Sequence, residues 1–420
     1  MDEDLLHRLP LVLREEPFGG LLFSPRDAVH LELDRDGLGF VRDYLRGRAA
    51  ACTAPERELV QRLQAELGGV VTPLTVEYRY PPGPGPYPFQ VHAAPTLVDF
   101  QITERCTLGC PHCYASAVPE GEHVARGDIE LVLRELRRNG VTQIALGGGE
   151  PLAHPDLAPV LELCHGCNLV PSLTTSGLLL DRDLLAALRS YCGAVALSLE
   201  GVGEQFSRRR HMSFGVFTER LERLLDAGIA TVLQVTLSRE NFAQLDEIVR
   251  FCLGYPALYG VVFLAYKEVG RGRGYHRVLA ELPAAQVHGA LGRAFAALSR
   301  RMRVGYDCCL TPAVAGAKDE LALPPGEPLE GCTALRSSIG VLPNLDVVPC
   351  TFARDVVVGN LRQQPLAEIW QGIQAERFRQ AMQRHAERDT GCASCASRWE
   401  CLGGCPVFDL VACQRRSNSG

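Results

Sequence analysis

Residues 104–115 read ERCTLGCPHCYA, which sets Cys106, Cys110 and Cys113 within eight residues and Tyr114 directly behind the last thiol. A structural zinc ion asks for four ligands in a tetrahedron, usually from two separated pairs. Here a third thiol is inserted and no second local pair follows; His112 lies between two of the cysteines, where its ring and the thiolates converge poorly on one ion. A four-iron cubane suits the count better. Three irons take the three thiolates, and the fourth is left open for an outside chelator.

The run just before, TLVDFQIT at 96–103, reads as a strand, so the cysteines sit on the loop that follows it. TQIALGG, LVPSLTT, AVALSLE, TVLQVTL and GVVFLAY continue the series to residue 266, with helical spacing near 127–138, 156–166, 181–190, 215–227 and 242–253. Repeated βα units with near-continuous apolar strands predict a parallel sheet flanked by helices. Six units fall short of the eight of a closed barrel, so the expected fold is α/β with a partial (βα)6 TIM-like barrel, its active site on the rim of loops that follow the strands. ALGGGEPL at 145–152 places Gly148, Gly149 and Glu150 at the end of the second strand. Bare backbone can approach a ligand there, and a carboxylate can accept from an ammonium group.

With 420 residues the chain has room for two to four domains. Its net charge is -6, and its Lys and Arg residues are scattered among acids, so no broad basic surface is implied and nucleic acid is a poor substrate. MDEDLLHRLP opens the sequence without a secretory pattern, and runs such as GVVFLAY are far too short to span a bilayer. A soluble cytoplasmic protein with no membrane partner is expected. In that reducing compartment its 17 cysteines read as metal ligands or catalytic thiols, not disulfides.

CxxxCxxC followed by an aromatic residue, on the loop after the first strand of a partial βα barrel, resembles the radical S-adenosylmethionine superfamily. The resemblance implies that Cys106, Cys110 and Cys113 hold a 4Fe-4S cluster whose open iron binds the amino and carboxylate groups of S-adenosylmethionine. An electron from the cluster, supplied by a donor such as flavodoxin or ferredoxin, then cleaves that cofactor to a 5'-deoxyadenosyl radical. Carried over by motif, Tyr114, Gly148, Gly149 and Glu150 contact the cofactor. So do Ser198 and Glu200 in LSLEG, although the family's usual acid there is Asp. In SRRRH, Arg210 is favoured over Arg208 and Arg209 for the cofactor carboxylate; Gln234 and Thr236 on the fifth strand are further candidates.

The tail reads GCTALRSSIGVLPNLDVVPCTF and then GCASCASRWECLGGCPVFDLVAC, with cysteines spaced C-x17-C, a gap, and C-x2-C-x5-C-x3-C-x7-C. This order resembles the SPASM extension of the same superfamily, which holds two auxiliary 4Fe-4S clusters. The resemblance assigns Cys392, Cys395, Cys401 and Cys413 to one, and Cys332, Cys350 and Cys405 to the other. GYDCCLTP supplies Cys309, or failing that Cys308, as the remaining ligand. Cys52, Cys164, Cys167, Cys192 and Cys252 are expected to be ordinary small hydrophobes.

LPLVLRE, GGLLFSP and AVHLELD at the front read as three strands, followed by the helical patterns GLGFVRDYLRG and ERELVQRLQAEL. With the phrase LREEPFGGLLFSP they resemble the small β3α3, winged-helix-like PqqD element, which binds a leader peptide as an added strand. Expected domains are therefore 1–78 for leader recognition, 79–96 as a linker around the proline-rich YPPGPGPYPF, 97–300 for the barrel and 301–420 for the auxiliary clusters. The expected function is maturation of a ribosomally made precursor peptide by hydrogen abstraction, ending in a carbon-carbon or thioether cross-link or an epimerisation. A sulfatase-type protein maturase, a small-molecule dehydrogenase and a non-enzymatic metal scaffold are the alternatives.

Overall fold

The computed structural model describes residues 9–25, 28–48, 50–51, 53–66, 76–80, 86–274, 278–316, 329–388, 390–408, 410–411 and 413. Cys52 and residues 81–85 of the expected linker lie outside these.

Strands β1 (Val12–Glu16), β2 (Gly19–Ser24) and β3 (Val29–Leu33) form an antiparallel meander, as their alternating runs and turn residues dictate. Helix α1 (Arg35–Leu45) starts where Asp34 Oδ1 accepts from the Gly37 N–H at 2.7 Å, and α2 (Ala54–Glu66) follows. The expected module has three helices; among the described residues there are these two, and the next element is a short strand, β4 (Val76–Tyr78), parallel to β1. One face of the sheet buries Leu13, Leu22 and Leu31 against Leu38, Val41 and Leu63 of the helices. The other face puts Val12 and Phe23 on Val170 of the barrel.

The six expected barrel strands are β5 (Leu97–Thr103), β6 (Gln143–Gly148), β7 (Val170–Thr175), β8 (Ala194–Leu199), β9 (Thr231–Leu237) and β10 (Gly260–Ala265). They lie side by side in chain order, all parallel. Their outer face carries α3 (Arg126–Arg138), α4 (Leu157–Gly166), α5 (Arg182–Tyr191), α6 (Glu204–Arg210), α7 (Phe214–Asp226), α8 (Leu245–Leu253) and α9 (Ala284–Leu298). A seventh parallel strand, β11 (Arg303–Tyr306), joins β10, so the sheet crosses the expected domain boundary at 300. On the other edge β12 (Ser338–Val341) pairs parallel with β5 and continues through β13 (Asp346–Val348) and β14 (Gly359–Asn360) as antiparallel neighbours. The result is one sheet of ten strands in the order β11-β10-β9-β8-β7-β6-β5-β12-β13-β14.

Strand alternation divides this sheet cleanly. Val98, Phe100, Ile144, Leu146, Val195, Leu197, Leu233, Val235, Val261 and Phe263 point outward and are buried among the helices. On β6, β7 and β8 the inward set is small or polar, with Ala145, Gly147, Ser172, Thr174 and Ala196, whereas β9 and β10 set Val232, Val262 and Leu264 beside Gln234; all are only partly buried. A (βα)8 barrel usually fills its interior with bulky branched side chains. Here β6–β8 lack such side chains on that face. Among the described residues, no helix is long and apolar enough to cross a membrane.

Candidate active site

The loop after β5 is held from three directions. Val118 O accepts from the Cys106 N–H at 2.9 Å, and His211 Nδ1 pairs with Leu108 O at 2.9 Å. Arg271, just past β10, donates through Nη1 to Cys110 O at 2.8 Å and through Nη2 to Ala117 O, while its backbone N–H donates to Cys113 O at 3.0 Å. The end of β6 supplies the third anchor: the Gly149 N–H donates to Thr103 O at 2.7 Å and the Glu150 N–H to Arg105 O at 2.8 Å. Such close approach explains the glycines. A Cβ at Gly148, whose φ is +124°, or at Gly149 would lie 2.2 Å from Thr103 O or Arg105 O respectively.

Glu150 works from beneath. Its Oε1 accepts from the Leu152 N–H and the Thr175 hydroxyl, and its Oε2 from the N–H and hydroxyl of Ser176. All four lone pairs are thus engaged, which ties the glycine turn to the end of β7.

Burial pushes the Cys110 thiol up to about 11 against the pull of Arg210, and it raises Cys106 in the same direction. A metal must therefore displace the protons when it binds. Ligands of one tetrahedral zinc sit about 3.8 Å apart, given its bond length. Among the described residues, the trio of ligand atoms lying within 4.8 Å of one another is Cys308, Cys309 and Cys405, not Cys106, Cys110 and Cys113. The first three thiols are near enough to perturb one another yet spread too widely for one ion, which fits separate irons of a cubane.

Of the three adjacent arginines that close α6, Arg208 is exposed and pairs with Glu204, and Arg209 donates to Glu200 O at 2.8 Å. Arg210 turns in, grips both carboxylate oxygens of Glu200 and lies beside Cys110 and Cys113. Burial alone would raise the Glu200 carboxyl, but Arg210 and His112, whose Nε2 is 3.6 Å away, hold it down at about 2. Asn241 Nδ2 donates to Thr236 O at 2.7 Å and to Glu200 O at 3.2 Å, fixing this corner. Ser198 and Gln234 are direct cross-strand neighbours on β8 and β9. Tyr114 sets its ring at a tilt against Phe352, with centroids 4.6 Å apart, and turns its hydroxyl toward Asp99, Gln101 and Thr351. Spacing had not singled out Arg271, Asn241 or Lys267; the last is buried against Asp307, with its ammonium 4.2 Å from the Phe352 ring centroid.

The tail cysteines sort into two cavities. Cys392, Cys395, Cys401 and Cys413 line one, between the C-terminal turns. Cys332, Cys350 and Cys405 line another, of about 1160 Å³, that opens between β11 and the residues leading to β12. The cysteine that joins them on that wall is Cys308; Cys309, the residue expected there, is buried against Lys267 and Asp307 while remaining close to Cys308 and Cys405. Cys308 also reaches Cys332. Cys164, Cys192 and Cys252 are buried in the helical layer, where burial drives their thiols up and keeps them inert. Cys167, partly buried at the end of α4, packs on the same core.

Residues 100–252 match the model of the radical SAM superfamily, and residues 332–396 that of an iron-sulfur cluster-binding domain, SPASM. The mycofactocin maturase MftC of Mycobacterium ulcerans is 29% identical over 321 residues, covering 74% of this chain and 83% of that protein. The PqqA peptide cyclase of Gluconobacter oxydans is 30% identical over 280 residues, 64% of this chain and 75% of its own length. Among solved structures, Streptococcus suis SuiB bound to S-adenosylmethionine superposes with a TM-score of 0.64 over 99% of both chains at 17% identity, a likeness of fold. A three-cysteine loop on an open βα sheet, a second iron-sulfur domain behind it and these relatives together place the chain in the radical SAM superfamily, as an enzyme with a SPASM extension.

Proposed function

We propose that the chain is a cytoplasmic radical SAM maturase of a ribosomally made precursor peptide, joining two of its side chains by a cross-link. What supports this is the small or polar inward face of β6–β8, only partly buried, together with the cavity of about 1160 Å³ that Cys308, Cys332, Cys350 and Cys405 line, which offers room for a peptide segment. The names of the two relatives, a maturase and a peptide cyclase, point the same way.

Cys106, Cys110 and Cys113 would hold the cluster that binds S-adenosylmethionine, and together these groups supply a 5'-deoxyadenosyl radical. Arg210, set by Glu200, places positive charge beside Cys110 and Cys113, where it offsets the charge of bound thiolates. Gly148 and Gly149 hold the loop in register; Ser198 and Glu200 would meet the cofactor's ribose, with Gln234, the cross-strand neighbour of Ser198, as a further contact. Cys392, Cys395, Cys401 and Cys413 would take one auxiliary cluster, and Cys332, Cys350 and Cys405 with Cys308 the other. The open edge of β3 suits a leader peptide added as a further strand, and a flavodoxin or ferredoxin would deliver electrons.

The test is anaerobic reconstitution with the precursor peptide encoded beside this gene. 5'-Deoxyadenosine and a peptide lighter by two hydrogens are expected, and removal of residues 1–78 should abolish the second with that peptide. Fully loaded enzyme that never releases 5'-deoxyadenosine would overturn the reading. Unchanged turnover after the truncation would instead favour a substrate without a leader.

A further inference from the structure

The six barrel strands β5–β10 carry a single ionisable side chain, Asp99. It sits in mid-strand on the inward face, paired across the sheet with Ala145 on one side and Gly340 on the other, and is partly open to the lumen. Nothing about the fold requires a charge here. Its neighbours in register are small, and a carboxylate without a cationic partner is costly in such a place.

Its contacts explain the position. Asp99 Oδ2 accepts from the Thr351 hydroxyl at 2.6 Å, and Thr351 directly follows Cys350. The Tyr114 hydroxyl faces it from the other side, and Tyr114 directly follows Cys113. Oδ1 lies over the bare Cα of Gly147, where even a methyl group would come within 3.6 Å. One oxygen is therefore held and the other is left toward the lumen. Burial and the Thr351 hydroxyl, and no cation, set its charge; Arg354 donates to Gln101 Oε1, and Lys267 pairs with Asp307. Burial pushes the Asp99 carboxyl up to about 6 against the pull of the Thr351 hydroxyl, so that near neutrality it is a carboxylate able to take a proton.

We propose that Asp99 is the catalytic base of the cross-linking step, with Thr351 and Tyr114 as its positioning residues. The proposal rests on the peptide-maturase reading. Closing a bond between a peptide C–H carbon and a second group X–H, where X is carbon or sulfur, removes two hydrogens. The first leaves as an atom to the 5'-deoxyadenosyl radical, giving 5'-deoxyadenosine. The second leaves as a proton to Asp99 while the C–X bond forms. The remaining electron passes to an oxidised iron-sulfur cluster of the auxiliary domain, the oxidant of the step. A carboxylate between the loops of Cys113 and Cys350 lies where radical formation and electron removal meet.

The experiment follows the ratio of cross-linked peptide to 5'-deoxyadenosine in reconstituted full-length enzyme. Asp99→Asn is expected to lower it at least 20-fold, and Asp99→Glu to recover part of it. In the native enzyme the ratio should rise with pH through about 6, and Thr351→Val, which removes a hydrogen bond to the ionised form, should move that rise to higher pH. A readout independent of turnover is the infrared band of a protonated carboxyl, which should titrate near pH 6 in peptide-free enzyme and be absent from Asp99→Asn. An unchanged ratio and pH profile in Asp99→Asn would overturn the proposal while leaving the maturase reading intact. A native enzyme that forms no 5'-deoxyadenosine overturns the maturase reading itself, and this proposal with it. Should Asp99→Asn fail to take up clusters, Thr351→Val decides: a shifted limb supports Asp99, and an unmoved limb overturns it.

Discussion

Glu200 and Arg210 illustrate how one substituted residue changes a site. The family pattern offers an aspartate at the end of the fourth strand; the longer glutamate here reaches the Arg210 fork with both oxygens. Removing one partner leaves the other buried and unpaired, so Arg210→Ala should cost about 3–5 kcal/mol in denaturant unfolding of the cluster-free chain. The pH dependence has a definite sign. Glu200 is held down at about 2 when folded, below its unfolded value of roughly 4. Its stabilisation is therefore present above pH 4 and lost as pH falls toward 2. A Glu200→Gln chain should be the less stable at pH 7, with the difference shrinking across that window. The choice of Arg210 among three successive arginines was open in the sequence because spacing alone does not say which one a short helix turns inward.

At the scale of elements, β1 does more than pair in a sheet. Arg14 is fully buried and donates to Ala94 O at 2.6 Å, Pro95 O at 2.8 Å and Gly140 O at 3.0 Å, while Glu16 binds both its guanidinium and the Ala93 N–H. These bonds fasten the front module to the base of the barrel. Arg14→Ala should cost about 3–5 kcal/mol, and hydrogen exchange should show β1–β3 losing protection well before β5–β10. The front strands and β5–β10 were legible because each is an apolar run between turn signals. Short β11 begins with an exposed arginine, and β12 joins the sheet across more than 200 residues, so neither carries a local signal. Helix α6 was missed because EQFSRRR has one apolar residue and no stripe. Asp99 stood in plain view inside TLVDFQIT. A lone charge in an otherwise uncharged series of barrel strands is the signal that could have found it.

Across the whole molecule the cysteines of the two loops and the tail are drawn into three groups, although in sequence they span residues 106 to 413. Local spacing sufficed for the grouping within CTLGC and CASC; bringing Cys308 and Cys309 to Cys405 needed the folded chain, because no local spacing links residues so far apart. Complete loading should give about twelve irons per chain. Cys308→Ala should lower that count or open one iron of an auxiliary cluster, visible as a changed electron paramagnetic resonance signal, whereas Cys309→Ala should leave both count and spectrum in place.

The pairing of β12 with β5 has a consequence for biosynthesis. Leu97 meets Ser338, so one edge of the first barrel strand stays bare until the intervening chain has been made, about 10 to 50 s at ordinary ribosomal rates. During that interval the nascent sheet exposes an unsatisfied strand edge just beside the loop that must receive iron. Production of intact enzyme in a foreign host should thus depend on translation speed and iron supply together: slower synthesis at low temperature lengthens the vulnerable interval, and faster synthesis shortens it.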